Sequence, residues 1–525
     1  MAAADAVVAE IEEALRPLDV AASSAWWDVN VSVGDETERR RVETELARSD
    51  MLADTELFAA VRAARGSANG DPLVGRQLDL LHDAFLPNQV PSGIRRRIVE
   101  LEVEVEATYA RHRGVVGGKP VDDNAIARIL RTSGDPAERR EAWEASKSVG
   151  AAVAVDVREL ARLRNEAARS LGFRDWFALS LATSELDEER LFATLAHADR
   201  VTAEPFADWK ARLDERLGER FGCAVADLRP WHYDDPFFQE VPVEGGIDLD
   251  PVFTGRDLVD LTRRTYAGIG LEVDPILSRS DLAPRPGKCQ HAFCIDIDRV
   301  GDIRVLANVA DNHYWMDTML HELGHGVYDA GFGADLPWLL RTTHLIPTEG
   351  IAMLFGRLAS DGEWLARVAD MPADKAVILE DSLRASRAAA LLAFSRWVLV
   401  MTTFERSLYA DPDGDHDARW WELVARYQLV TPPDGRRAAD WAAKIHVATA
   451  PVYYQNYLYG ELVASQLAEA LRRECGGIVD RPEAGRFLVE RVFRPGASVR
   501  WDRLVEQATG ERLTAEHFAR DLAAV

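Results

Sequence analysis

The sequence predicts a mainly α-helical chain with one small β-sheet, and three observations carry that expectation. Most of the 525 residues alternate apolar and charged side chains at helical spacing, with Ala, Leu, Glu and Arg dominating. Short punctuation such as Ser133-Gly134-Asp135-Pro136 separates the periodic segments. One stretch reads as a hairpin: Cys294-Ile-Asp-Ile-Asp298 and Ile303-Arg-Val-Leu-Ala-Asn308 flank the turn Arg299-Val-Gly-Asp302.

Taken in order, the N-terminus carries Asp5, Glu10, Glu12 and Glu13, with no basic start and no clean apolar run, so a signal peptide is not expected. Val99 to Glu106 alternates apolar and Glu at a period of two, the pattern of a half-buried strand. No turn signal or neighbouring strand follows, and a helix is expected there. Pro230 to Gly246 is rich in Pro, aromatic and acidic residues and reads as a long ordered loop. Asn308 to Asp311 offers a helix start after the hairpin. The most apolar run, Leu391 to Phe404, is broken by Ser395 and Arg396 and falls short of the roughly 18 residues a membrane span needs. No repeat, Pro/Ser-rich linker or long charge block marks a border, so residues 1–525 read as one unit.

Composition narrows the partners. The 62 basic and 87 acidic residues give a net charge of −25, which argues against nucleic acid and anionic membrane, since both demand cationic surface. Four cysteines are too few for a disulfide scaffold, and Cys289 and Cys294 lack the C-x-x-C spacing, so buried free thiols are expected. The expectation is a soluble cytoplasmic protein.

The chemistry concentrates in His321-Glu322-Leu323-Gly324-His325, an H-E-x-x-H. On a helix, residues four apart share a face, so both imidazoles can reach one Zn²⁺. Glu322 then points beside the metal, where it can take a proton from water. A catalytic zinc wants a third protein ligand and an open position. Glu349 opens a second apolar helix 24 residues after His325, and the turn through Asp335-Leu-Pro337 can return that helix antiparallel. His344 and Asp329 are competing ligands.

These two motifs, with Asp335-Leu-Pro-Trp-Leu-Leu-Arg341 between them, resemble the angiotensin-converting-enzyme family of gluzincin peptidyl-dipeptidases. Further blocks are similar: Trp420-Trp-Glu-Leu-Val-Ala-Arg-Tyr-Gln428 followed by Pro432-Pro433, and Lys444-Ile-His446 leading into Pro451-Val-Tyr453-Tyr454-Gln-Asn-Tyr457. Weaker echoes run from Ala25-Trp-Trp-Asp28 to Thr509-Gly510. The resemblance implies an almost all-α, two-lobed zinc peptidase with a deep central channel that admits short flexible peptides. It implies that His321, His325 and Glu349 hold zinc and that Glu322 is the base. By the same resemblance His446 contacts the substrate carbonyl and Tyr457 stabilises the oxyanion. His291 and Ala292 would bond substrate backbone, while Lys444 and Tyr454 would bind the C-terminal carboxylate and set a dipeptide-releasing register. One extra residue after His446 leaves Tyr453 as a substitute for Tyr454. The strand Ile303 to Asn308 is expected to lie along the substrate by β-augmentation.

Departures are specific. Met353 stands where the family has an Asp that orients a zinc-bound His, so that partner is unassigned. Asn456 and Val424 stand near the family's chloride-binding arginines, and the glutamine of the carboxylate site is not evident near Trp231. Phe293-Cys294 and Tyr453-Tyr454 echo the related thimet-type oligopeptidases. Rival readings are therefore an endo-oligopeptidase or single-residue carboxypeptidase on the same fold, a dedicated peptidase maturing one peptide, and a non-catalytic zinc-stabilised peptide-binding protein.

Overall fold

The computed structural model describes every residue except Met1, Val33, 68–70, 243–246, Pro286, Gln290 and Val525. It is 71% helical with two small two-stranded sheets, which meets the mainly α expectation. The chain divides into two compact units. Met1–Gln89, Leu249–Glu380 and Tyr459–Phe518 form the first; Val90–Asp248, Asp381–Leu458 and Ala519–Val525 form the second. Each is assembled from separate stretches of chain, so no linker composition marks a border.

In the first unit, Val8, Ile11 and Leu15 make one stripe of the helix Ala2–Val31. They pack with Val61, Leu78, Leu81 and Phe85 from Thr55–Ser67 and Pro72–Phe85, and Trp338 and Leu339 close the cluster. The helix Asp35–Leu52 is charged around its circumference and buries no residue. The expected hairpin forms with tighter limits, Phe293–Asp296 antiparallel to Ile303–Leu306. Its second strand is the inner one. Val305 donates its N–H to Ser280 Oγ at 2.8 Å and its C=O accepts from the Asp281 N–H at 2.9 Å, so the edge away from Phe293–Asp296 is already used. The expectation that Ile303 to Asn308 lies along a substrate is therefore corrected: Phe293–Asp296 is the edge strand.

The helix after the hairpin spans His313–Ala330 and starts later than 308–311. Asn312 caps it, its side chain accepting from the Trp315 N–H at 2.9 Å. Chain 308–311 instead continues past the strand, with the Val309 N–H bonded to the Leu282 C=O at 3.0 Å. The next helix, Leu345–Gly356, is capped by His344, whose Nδ1 accepts from the Ile346 N–H at 3.1 Å. Glu349 thus sits in its second turn and does not open it.

The second unit is built on the helices Ser92–Arg111, Pro136–Ser170, Glu188–Phe221 and His416–Gln428. Val99 to Glu106 is helical as expected, with Leu101 and Val105 buried and Val99 and Val103 exposed. Asp135 caps Pro136–Ser170 and Pro136 occupies the first helical position, where its missing N–H costs nothing. A second hairpin, Gly114–Val116 with Lys119–Val121, went unpredicted. Gly117 and Gly118, both at positive φ, make its turn, and that dipeptide between two short apolar runs is the signal for it. The loop from Pro230 is ordered as far as it is described, its last residues 243–246 lying outside the described ones. Arg139 donates to the Trp231 C=O at 2.8 Å and pairs with buried Asp234 at 3.0 Å. Trp143 Nε1 donates to the Pro236 C=O at 3.0 Å, and Gln428 donates to those of Phe237 and Phe238.

All four cysteines are free thiols. The helix Ala373–Ala410 is by length and composition apolar enough to cross a membrane, a criterion that Leu391 to Phe404 alone misses, but 83% of its apolar window is buried, as in a core helix.

Candidate functional site

In the first unit, His321 and His325 project from one face of His313–Ala330 with ring centroids 5.0 Å apart. Gly324 lies between them in sequence, and a Cβ there would stand 2.9 Å from the Ala352 Cα. The absent side chain lets the helix Leu345–Gly356 pack close. That approach brings Glu349 Oε2 to 3.7 Å from His321 Nε2. One ligand atom from each of His321, His325 and Glu349 lies within 4.8 Å of the others, and among the described residues this is the group compact enough to hold a metal. The other side of Glu349 is closed by Gly460, where a Cβ would meet Glu349 Cβ at 2.9 Å and Met353 Sδ at 3.0 Å. Met353 is therefore a packing residue.

The competing ligands stand apart from this group. His344 is spent on its cap and on stacking against Trp501, centroids 5.6 Å apart. Asp329 faces Asp296, and burial holds its carboxyl well above the usual range.

Electrostatics suits a metal. Burial pushes His321 down to about 4, and burial with repulsion from His321 holds His325 well below the usual imidazole range, so both rings are neutral near pH 7 and keep lone pairs to donate. Two neutral imidazoles and a carboxylate are a donor set that fits zinc. His325 Nδ1 lies 2.6 Å from Thr348 Oγ1, a contact that holds the ring through Nδ1 and does not engage Nε2. Thr348 is thus the orienting partner that Met353 left unassigned. Nothing in the sequence pointed to it, since a Thr before a helical Glu is ordinary.

Glu322 is 8% exposed. Burial, reinforced by Glu349, pushes its carboxyl up to about 8, opposed by a bond from the Cys294 N–H. That bond follows from strand register. Cys294 pairs with Val305, which spends its own N–H and C=O on its far side, so the Cys294 N–H and C=O face away from the hairpin. Ala292 immediately precedes this edge strand, and His291 before it is exposed.

In the second unit, Lys444, His446, Tyr454 and Tyr457 gather around one aromatic cluster. Lys444 Nζ donates to Gln239 Oε1 at 3.0 Å and lies over the rings of Phe237, Trp397 and Tyr454 at 5.3, 5.5 and 5.9 Å. Burial lowers its pKa while Asp235 and Glu240 oppose the shift. Tyr454 is buried, its ring 5.1 Å from His446 and 5.5 Å from Tyr457. Tyr454 thus stands beside both Lys444 and His446. Gln239, eight residues beyond Trp231 on the same loop, was not singled out from the sequence. Asp235 fixes it by accepting from its backbone N–H at 3.1 Å and its side-chain amide at 3.3 Å. The structure therefore forms two constellations, one in each unit.

Comparison with known proteins points the same way. A family model described as angiotensin-converting enzyme matches residues 1–197, and one described as peptidase family M3 matches residues 278–524. An angiotensin-converting enzyme of Theromyzon tessulatum is 24% identical over 290 residues, 50% of this chain and 46% of that protein. One of Sus scrofa is 29% identical over 118 residues, 21% of this chain and 9% of that protein. The chain thus matches less than half the length of either relative.

Proposed function

We propose, for a chain that is a distant member of the angiotensin-converting-enzyme-like gluzincin peptidases, that it is a zinc-dependent peptidase releasing C-terminal dipeptides from short peptides. The observation that carries this reading is the compact His321, His325 and Glu349 group with buried Glu322 beside it.

His321, His325 and Glu349 would hold the ion, with Thr348 fixing the His325 ring. Bound zinc supplies Lewis-acid activation of water and of the peptide carbonyl. Glu322 takes the proton of the attacking water and returns it to the leaving amine, work suited to a carboxyl whose burial raises its basicity. The outward Cys294 C=O of the edge strand, together with His291 and Ala292, offers an extended peptide a main-chain partner. The family resemblance assigns His446 and Tyr457 to the carbonyl oxygen, where donors to developing negative charge act most strongly. Lys444 and Gln239, with Tyr454 adjacent, supply a cation and an amide for a terminal carboxylate.

A second reading, an endo-oligopeptidase, is favoured by the match of residues 278–524 to peptidase family M3. Product masses separate the two. A free-acid peptide should lose its last two residues, its C-terminally amidated twin should resist, and chelation should stop the reaction. Internal cleavage of both peptides would establish the second reading instead.

A further inference from the structure

We infer that Glu405 is a positioning residue for the second-unit constellation: its carboxyl oxygen holds the turn at Val452 that sets His446, Tyr454 and Tyr457 in place. The inference rests on the role proposed above for those residues. Between the 3-10 turn Asp440–Ala443 and the helix Gln455–Cys475 the chain is irregular apart from a four-residue helical turn, His446–Thr449, and several backbone groups in and beside it are met by side chains. The Tyr109 hydroxyl donates to the Ala442 C=O. Arg164, itself paired with Glu102 at 2.6 Å, donates to the Ala448 C=O. Glu405 Oε1 accepts from the Val452 N–H at 2.8 Å, and the Gln455 amide donates to the Val452 C=O.

Val452 is the point of stress. Its φ is 57°, and among the described non-glycine residues at positive φ it is the β-branched one, the side-chain type that conformation suits least. Both of its backbone polar groups are fixed by buried side chains, so surrounding bonds hold the turn against its own preference. Tyr454 follows two residues later and His446 precedes by six, on either side of the hold. Glu405 is 1% exposed, and its second oxygen has no hydrogen-bond partner among the described residues. A buried carboxyl is an expensive group to keep for packing alone. Its one backbone bond is the one that fixes Val452.

The test uses the zinc-loaded full chain and two readouts, hydrogen exchange of segment 446–457 and steady-state peptide hydrolysis. Glu405→Ala should speed exchange there and leave residues 313–330 as in wild type. It should also lower kcat/KM roughly 10- to 100-fold, the cost of misplaced substrate-contacting groups. Glu405→Gln keeps the acceptor and should stay close to wild type. Adding Val452→Gly to Glu405→Ala should recover hydrolysis, because glycine takes the turn without being held. Wild-type exchange at 446–457 in Glu405→Ala would overturn the inference, as would faster exchange throughout the chain that neither Gln nor the glycine corrects. If the wild-type protein hydrolyses no peptide, the proposed function fails while the exchange data still decide the hold on Val452.

Discussion

The metal-ligand group and the lysine–tyrosine group are built by opposite means. His321, His325 and Glu349 stand on two regular helices whose backbones satisfy their own hydrogen bonds, so helical pitch and one glycine contact set their positions. Lys444, His446 and Tyr454 stand on or beside irregular chain whose carbonyls and N–H groups are met by Tyr109, Arg164 and Glu405 from other helices. The difference teaches where sensitivity lies. A helical site is damaged at its ligands, while an irregular site is damaged also at buried residues that touch no substrate.

Four substitutions sharpen or break that contrast. The largest effect is expected at Glu322: Glu322→Gln should bind zinc as wild type does and lose at least about 10³-fold in kcat, the scale of a lost general base, measured by hydrolysis beside metal content. Retained turnover would remove Glu322 from the reaction. Next, Lys444→Met should weaken kcat/KM for free-acid peptides by roughly 10²-fold and narrow their advantage over amidated ones, as loss of a charge-assisted bond requires. Thr348→Val should lower zinc affinity about 10-fold by releasing the His325 ring, read by competition with a chelating dye. Unchanged affinity would mean that helical pitch alone orients the ring.

The smallest effect is a pH dependence of stability. Burial holds the Glu405 carboxyl at about 8 against an ordinary 4.5. The folded state therefore binds this proton more tightly than the unfolded chain, and stability falls as pH rises between those values. Glu405→Gln should match wild type near pH 4 and exceed it by roughly 1–3 kcal/mol at pH 9, in denaturant titrations at both. An equal difference at both pH values would contradict the assignment.

The same contrast explains what could be read from the amino-acid sequence. His321, His325 and Glu322 follow from a five-residue pattern, because helical periodicity converts spacing into direction. The hairpin was legible for similar local reasons, whereas Val99 to Glu106 carries a strand's alternation and reads as helix only because no turn signal or partner strand follows it. Which hairpin strand is the edge was not, since Ser280 and Asp281 claim Val305 from a segment with no strand pattern. Nor was the helix start at Asn312, where several residues before it could also cap. Gln239, Thr348 and Glu405 were missed because each earns its place through a partner distant in sequence or ordinary in type: Lys444 for the first, the His325 ring for the second, and the Val452 N–H for the third. The division into two units left no mark either, since each collects stretches from three parts of the chain.

The central claim is that a metal held by His321, His325 and Glu349 makes this chain a peptidase. Stepwise return of zinc to the metal-stripped protein, with hydrolysis of a free-acid peptide followed at each addition, tests it most directly. Activity should rise in proportion to zinc, level off at one equivalent, and stay absent at every addition in Glu349→Ala. Hydrolysis in the stripped protein, or one equivalent of tightly bound zinc without any hydrolysis, would contradict the account.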